Sequence, residues 1–367
     1  MSGSAGTLAV RLGVEVELLA PRGASRGDLA TAIAAAAGGG VRRTFHRDSE
    51  PSAVPGMGTF RHLTPGFDVL SAAGDRMCSV VDDVTLVDGL DAHAPPLPGW
   101  HRLLTDDPRL LSLLAEACDP TAPLDRVLDP VAELFGTRVE AGRSPGDRIR
   151  KVADREGATV ALAAPVTGER HRPAEIVTPV LERCHEAALE ALLGPARELG
   201  CEVPREAAVH LHLDAAGFRT PGALANLVCL AARWRAPLWR LLGTNANCRR
   251  LAPPPQALVD RVPAVRDAPS WEAAVAAIAD VPLSKYSDIN LTALVGRPSR
   301  QDTVEVRVLP GMLSAAAVVA DARLVVGLLE SCRRLPELPV PTGHVDTDAR
   351  ALHSLAEDGC LRPPGDG

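Results

Sequence analysis

Three short stretches alternate apolar and ionisable residues with a period of two. They are Gly13-Val14-Glu15-Val16-Glu17-Leu18, Val209-His210-Leu211-His212-Leu213-Asp214 and Thr303-Val304-Glu305-Val306-Arg307-Val308. In an extended chain successive side chains point to opposite faces. Glu15 and Glu17 therefore share one side of their strand, as do His210, His212 and Asp214 on theirs and Glu305 and Arg307 on theirs. Any one such strand reads equally as a solvated sheet face or a cross-strand ion pair. Together, Glu15, Glu17 and Glu305 with two imidazoles and one guanidinium form a set suited to divalent cations and phosphate. Mg²⁺ takes oxygen ligands and bridges carboxylates to phosphates. A neutral imidazole can complete its shell, and arginine offers the planar fork that fits a phosphoryl group. Phosphoryl transfer is catalysed mainly by positioning and charge neutralisation, which these types supply. Zinc hydrolysis competes, because His-x-His with a glutamate can bind zinc; a carboxylate-dominated set favours the harder cation. Glu175, in Glu175-Ile176-Val177-Thr178-Pro179, adds a carboxylate before a Thr-Pro turn. Its other reading is a charge near a helix N-terminus, where the dipole favours it.

Strands at 12–18, 159–163, 207–213 and 303–309 would carry or flank these residues. Residues 76–87 pattern as a hairpin turning at Asp82-Asp83, and 41–75 is turn-rich, with short strands and loops expected. Helical periodicity covers 26–37, stopped by Gly38-Gly39-Gly40, and then 108–117, 124–135, 179–198, 222–233, 237–242, 271–278 and 313–333. Strands scattered between helices, without repeats or a long linker, imply an α+β fold with helices over one face of a sheet. From residue 336 the prolines Pro336, Pro339, Pro341, Pro363 and Pro364 predict a flexible tail, 336–367.

Composition narrows the classes. The 367 residues are 46% hydrophobic and 23% charged, with net charge -7, enough apolar content for a large core and too little polarity for disorder. An acidic chain with 3% aromatics has neither the field nor the stacking surface of a nucleic-acid binder. The eight cysteines form no CxxC pair and read as reduced thiols of a cytoplasmic protein. No secretory pattern opens the sequence, and the apolar stretch 313–329 contains Asp321 and Arg323, so no membrane segment is expected. Lysine occurs only at Lys151 and Lys285, the latter beside Tyr286, the single tyrosine.

Gly13-x-Glu15-x-Glu17, Glu175-Ile-Val-Thr-Pro, His210-x-His212-x-Asp214, Lys285-Tyr286-x-x-x-Asn290-Leu291 and Thr303-x-Glu305-x-Arg307, in this order, resemble the amidoligase family. That family belongs to the carboxylate–amine ligase group with glutamine synthetase and glutamate–cysteine ligase. The resemblance spans about 11–330 and implies a glutamine synthetase-like catalytic fold: a large, mainly antiparallel sheet with the active site on its concave face and helices behind. It implies one catalytic domain, 1–335, with 41–160 as a variable substrate-side region. The implied reaction uses ATP to phosphorylate a carboxylate, after which an amine displaces phosphate to give an amide or isopeptide bond.

By position, the resemblance places Glu15, His210 and Glu305 at an Mg²⁺ (or Mn²⁺) bridging the ATP phosphates. Glu17 and Glu175 would serve a second ion near the substrate carboxylate, where Glu175 also acts in catalysis. Arg307 would bind the transferred phosphoryl group, and His212 would lie near the nucleotide. Asp83, in Val81-Asp82-Asp83-Val84-Thr85, would face substrate or simply make a turn. Lys285, Asn290 and Arg249 are candidate nucleotide contacts, with a helix cap as the other reading of Asn290 and a surface arginine pair that of Arg249 and Arg250. Residues 52–66 are a candidate closing loop, or an ordinary surface loop. The basic segment 143–172 is either a mouth for anionic substrate or a solvated face. Expected partners are a small-molecule or peptide carboxylate and an amine, with no nucleic acid and no membrane; a homo-oligomer is left open. The alternatives are a metal-dependent amide hydrolase built on His210, His212 and Glu175, and a guanidino kinase on the same fold.

Overall fold

The computed structural model describes residues 8, 10–51, 59–142, 148–248, 250–296 and 302–361. Its first strands are β1 (Leu12–Leu19), β2 (Gly40–Pro51), β3 (Thr59–Leu70), β4 (Arg76–Val81), β5 (His101–Leu104) and β6 (Glu140–Ala141). Then follow β7 (Arg150–Ala153), β8 (Thr159–Pro165), β9 (Pro173–Val177), β10 (Ala208–Asp214), β11 (Ile289–Asn290) and β12 (Thr303–Pro310). The chain divides into two compact units. One takes the chain up to Val16, Thr178–Leu193 and everything from Arg205; the other takes Glu17–Val177 and Gly194–Pro204.

In the first unit β11, β12, β10 and the N-terminal part of β1 form an antiparallel sheet. Val14, Val16, Val209, Leu211, Val304 and Val306 are buried, as the period of two requires when one face meets a core. The helix Ala315–Arg334 buries Val318, Ala322, Val325 and Leu329. The tail, expected to be flexible, instead contains a helix, Val345–Leu361, that packs on Ala315–Arg334. Ala349, Leu352 and Ala356 make its buried stripe. A Cβ on Gly327 would stand 2.0 Å from the Ala356 carbonyl oxygen, and one on Gly359 would stand 2.1 Å from that of Gly327. The two backbones touch, so only glycine fits. Among the described residues no helix is long and apolar enough to cross a membrane.

The second unit is a large antiparallel sheet in the order β9-β4-β3-β5-β8-β7-β6, with β2 paired to β3. With its helices it makes the chain a mixed α/β structure. Leu63, Leu103, Ala161 and Ala163 on one face meet Leu111, Leu114, Val127 and Val131 from the helices Pro108–Ala117 and Asp129–Leu134 and the segment before the latter. The turn-rich 41–75 stretch is in fact two paired twelve-residue strands. Gly66 there is a packing residue, since a Cβ would lie 3.3 Å from both the His46 Cβ and the Thr44 Oγ1. The hairpin expected over 76–87 keeps only β4; beyond it Asp83 closes a turn by accepting from the Thr85 amide (2.7 Å) and hydroxyl (2.6 Å).

Arg26, fully buried, ties this unit together. Its guanidinium donates to the carbonyls of Pro65, Arg170 and Pro173 and lies 4.7 Å from the Trp100 ring centre. Nearby, His101 is 2% exposed, and burial followed by the Arg43 charge lowers its pKa from 6.5 to about 4. The unfolded chain protonates His101 at a higher pH than the native state does, so stability falls as pH drops from 6.5 towards 4. Between pH 7 and pH 5 this one group costs the wild type about 2 kcal/mol. Urea unfolding at both pH values checks it: His101→Asn should lose less stability than wild type over that interval, by about that amount.

Candidate functional site

Register brings the charged faces together in the first unit. Glu15 stands opposite His210, His212 opposite Glu305, and Glu305 opposite Asn290. His210 Nδ1 donates to Glu15 Oε2 at 3.0 Å and lies 3.8 Å from Glu305 Oε1. His212 Nε2 is 3.0 Å from Glu15 Oε1, within ion-pair range but not aimed well enough for a hydrogen bond. Its Nδ1 contacts the Thr303 hydroxyl at 3.2 Å. Arg307 pairs with Glu305, whose other oxygen accepts from Asn290 Nδ2 at 2.7 Å.

The electrostatics follow from this packing. Burial alone would raise the Glu15 carboxyl, but the hydrogen bond from His210 and the proximity of His212 hold it well below the usual carboxylate range. Burial would likewise raise Glu305; Arg307 first, then His210 and His212, bring it below its ordinary value. Burial pulls His212 down, yet Glu15 and then Glu305 lift it above 6.5. One donor atom each from Glu15, His212 and Glu305 lies within 4.8 Å of the others, a group that could hold a metal ion.

The strand bearing Arg307 is fixed from outside. The Arg307 amide donates to the Asp288 carbonyl at 2.9 Å. The Asp288 carboxylate accepts from Arg235 Nε (2.7 Å) and Trp239 Nε1 (2.8 Å), and the Arg235 guanidinium lies 4.0 Å from the Trp239 ring centre. Burial raises the Asp288 pKa despite these donors.

The second unit holds a different group. Glu17, Asp83 and Glu175 each offer an oxygen within 4.8 Å of the others. Glu175 is on β9 opposite Val81, rather than at a helix start: the next long helix begins at His185. Asp83 follows β4 by two residues, while its neighbour Asp82 turns to Arg170 (2.7 Å) and Arg26 (3.5 Å). Three carboxylates so close, with Glu17 and Asp83 buried, form a second group that could hold a metal ion.

Other expected residues land as follows. His212, expected near a nucleotide, belongs to the Glu15–Glu305 group, and Asp83, expected at substrate, belongs to the carboxylate group. Asn290 serves both of its readings: its Nδ2 holds Glu305 and its Oδ1 accepts from the Thr292 amide. Lys285 is exposed against the Tyr286 ring, at 5.3 Å, with Arg250 at 5.0 Å from the same ring. Arg249 lies outside the described residues, as do 52–58 of the candidate loop and 143–147 of the basic segment; 59–66 belong to β3. In that segment Lys151 pairs with Glu140, Arg172 with Glu169 and Arg170 with Asp82. Sequence reasoning missed the Asp288 clamp, although Asp288 lies inside the Tyr286–Asn290 stretch already singled out.

A family model described as "putative amidoligase enzyme" matches residues 8–329. Neither a curated protein nor a solved structure matches the chain.

Proposed function

The chain belongs to the amidoligase enzyme family, and from that premise we propose that it is an ATP-dependent carboxylate–amine ligase with a glutamine synthetase-like catalytic fold. The observation that carries the proposal is Arg307 beside Glu305, in contact with the Glu15–His212–Glu305 group. A guanidinium at a cation-binding group has an evident use when the ligand is a phosphate.

The donor set fits Mg²⁺: each group is dominated by carboxylate oxygens, and the Glu15 carboxyl is held ionised by its surroundings. Glu15, His212 and Glu305, with His210 in support, would hold one ion, and Glu17, Asp83 and Glu175 another. Bound Mg²⁺ supplies charge neutralisation and alignment for an attack that brings two anions together. Arg307 binds the transferred phosphoryl group. Asn290 and Thr303 orient Glu305 and His212, and the Asp288 clamp sets the depth of Arg307. The substrate carboxylate attacks the γ-phosphorus, releasing ADP and leaving an acyl phosphate; the amine then attacks the acyl carbon and expels phosphate. The substrates are a small-molecule or peptide acid and an amine, joined in the cytoplasm by a monomer or homo-oligomer.

The test is thermal stability with Mg²⁺ plus ATP, with EDTA plus ATP, and with Zn²⁺ alone, on wild type and Glu305→Ala. At 100 times its dissociation constant a ligand adds about 2.7 kcal/mol. A Mg²⁺-dependent ATP shift that Glu305→Ala removes is the expected result. A Zn²⁺ response without an ATP response would move the assignment to an amide hydrolase. ADP formation without phosphate release would move it to a guanidino kinase.

A further inference from the structure

The helix Arg235–Leu242 is joined to β12 at two points, on either side of the Arg307 side chain. Ahead of it, the Arg307 amide donates to the Asp288 carbonyl (2.9 Å), and the Asp288 carboxylate accepts from Arg235 and Trp239 of this helix. Behind it, the Val308 carbonyl accepts from the Thr244 hydroxyl at 2.6 Å. Thr244 follows Gly243, which ends the helix at φ 65°, a conformation glycine adopts without strain. The helix therefore holds the backbone that carries the guanidinium, and a displacement of the one moves the other.

What seats this helix is the C-terminal part of the chain. A helix of eight residues does not keep its place without packing. The helix Val345–Leu361 packs against it, and lies beyond the residues 8–329 that the family model matches. Trp234, 3% exposed and directly before Arg235, donates from Nε1 to the Pro339 carbonyl at 3.0 Å. That stretch is pinned in turn by the fully buried Asn226, which donates to the Leu335 carbonyl (2.8 Å) and accepts from the Leu338 amide (3.2 Å). Asp348 accepts from the Thr342 and Gly343 amides, at 2.9 and 3.0 Å, and fixes the turn into the helix. The Arg240–Asp346 pair adds little, because both side chains are more than half exposed to water. The buried contacts decide the position.

We infer that residues 335–361 are a positioning element of the site: they seat the helix Arg235–Leu242 and, through Asp288 and Val308, set where Arg307 stands. The inference rests on the ligase reading only for what Arg307 then does. Trp234 is the positioning residue at the joint, because its ring meets Pro339 and the residue after it holds Asp288. When the joint loosens, Glu15, His212 and Glu305 keep their own contacts from β10 and Asn290. Binding of ATP with its metal therefore persists while phosphoryl transfer slows.

The test labels the full chain with 5-fluorotryptophan and follows the Trp239 line by ¹⁹F NMR, assigned among the four tryptophans with Trp239→Phe. Two variants act on the joint from opposite sides. Trp234→Phe keeps a buried ring and removes the donor to Pro339, whereas Gly359→Ala wedges the C-terminal helix away from Gly327. Circular dichroism melts confirm folding, and Trp234→Phe decides alone if the wedge unfolds the chain. Both variants should shift the Trp239 line. Both should lower kcat of ATP-dependent phosphate release to hydroxylamine about tenfold, with the KM for ATP within about twofold of wild type. Asp288→Asn, acting directly on the clamp, should show the same split. An unmoved Trp239 line in folded Trp234→Phe overturns the inference, and so does a moved line with unchanged kcat. If the wild type itself releases no phosphate, the ligase reading falls, and the Trp239 line alone decides whether the C-terminal segment seats the helix.

Discussion

Arg307→Ala lowers ATP-dependent phosphate release, assayed with hydroxylamine as a generic amine and a productive acid, by roughly a thousandfold. That is the scale on which a single guanidinium acts on a transferring phosphoryl group. Arg307→Lys recovers little, because an ammonium cannot offer the planar two-pronged contact. The variant also loses stability, by about 1–3 kcal/mol, since Arg307 is buried and its removal leaves Glu305 short of its main counter-charge. The loss stays in that range because Asn290 still donates to Glu305 and His210 remains 3.8 Å away. Folded Arg307→Ala therefore separates two roles: if it melts lower yet releases phosphate at near wild-type rate, Arg307 is structural and the phosphoryl assignment falls. A Mg²⁺–ATP stability shift that persists in the inactive variant would place the arginine's action in the transition state rather than in nucleotide binding.

What could be read from the sequence was what a period of two exposes. β1, β10 and β12 each put ionisable groups on one face against valines and leucines on the other, and burial of those apolar residues forces the charged faces into register. Alternation names the face but not the pairing. His210 and His212 are indistinguishable on their strand; only the register sets His210 against Glu15 and His212 against Glu305. Glu175 was visible but misplaced beside a helix start, because Thr178-Pro179 reads as a helix entry when the strand before it is five residues long. β2 and β3 were hidden by Pro65 and Gly66, residues that usually break strands. Here the Pro65 carbonyl is taken by buried Arg26, and Gly66 admits the side chains of the neighbouring strand. The C-terminal helix was masked by prolines ahead of it and by an alanine-rich stripe too weakly apolar to announce a buried face.

Glu15→Gln should separate the pairing that folds the protein from the one that would bind metal. In EDTA the variant loses the contacts of both imidazoles with one carboxylate, a cost of about 1–3 kcal/mol; it is capped because His212, its native pKa raised by Glu15, can shed its proton. The cost depends on pH in a defined way. Glu15, with its native pKa lowered, contributes stability above its unfolded value of 4.5 and loses it as pH falls further. His212, with its native pKa raised, contributes fully below 6.5 and loses that contribution as pH rises through its native value. The deficit of Glu15→Gln is therefore greatest between about pH 4.5 and 6.5 and narrows above. A cation at Glu15, His212 and Glu305 needs the imidazole unprotonated, so Mg²⁺ stabilisation of the wild type should grow over the same range in which the ion pair weakens. Melting wild type and Glu15→Gln from pH 5 to 8, with Mg²⁺ and with EDTA, reads both slopes at once. Opposite slopes in the wild type, and neither in Glu15→Gln, are expected if protons and metal compete for one carboxylate. A Mg²⁺ increment independent of pH, or one retained by Glu15→Gln, would place the ion elsewhere and leave Glu15 as a structural partner of its two histidines.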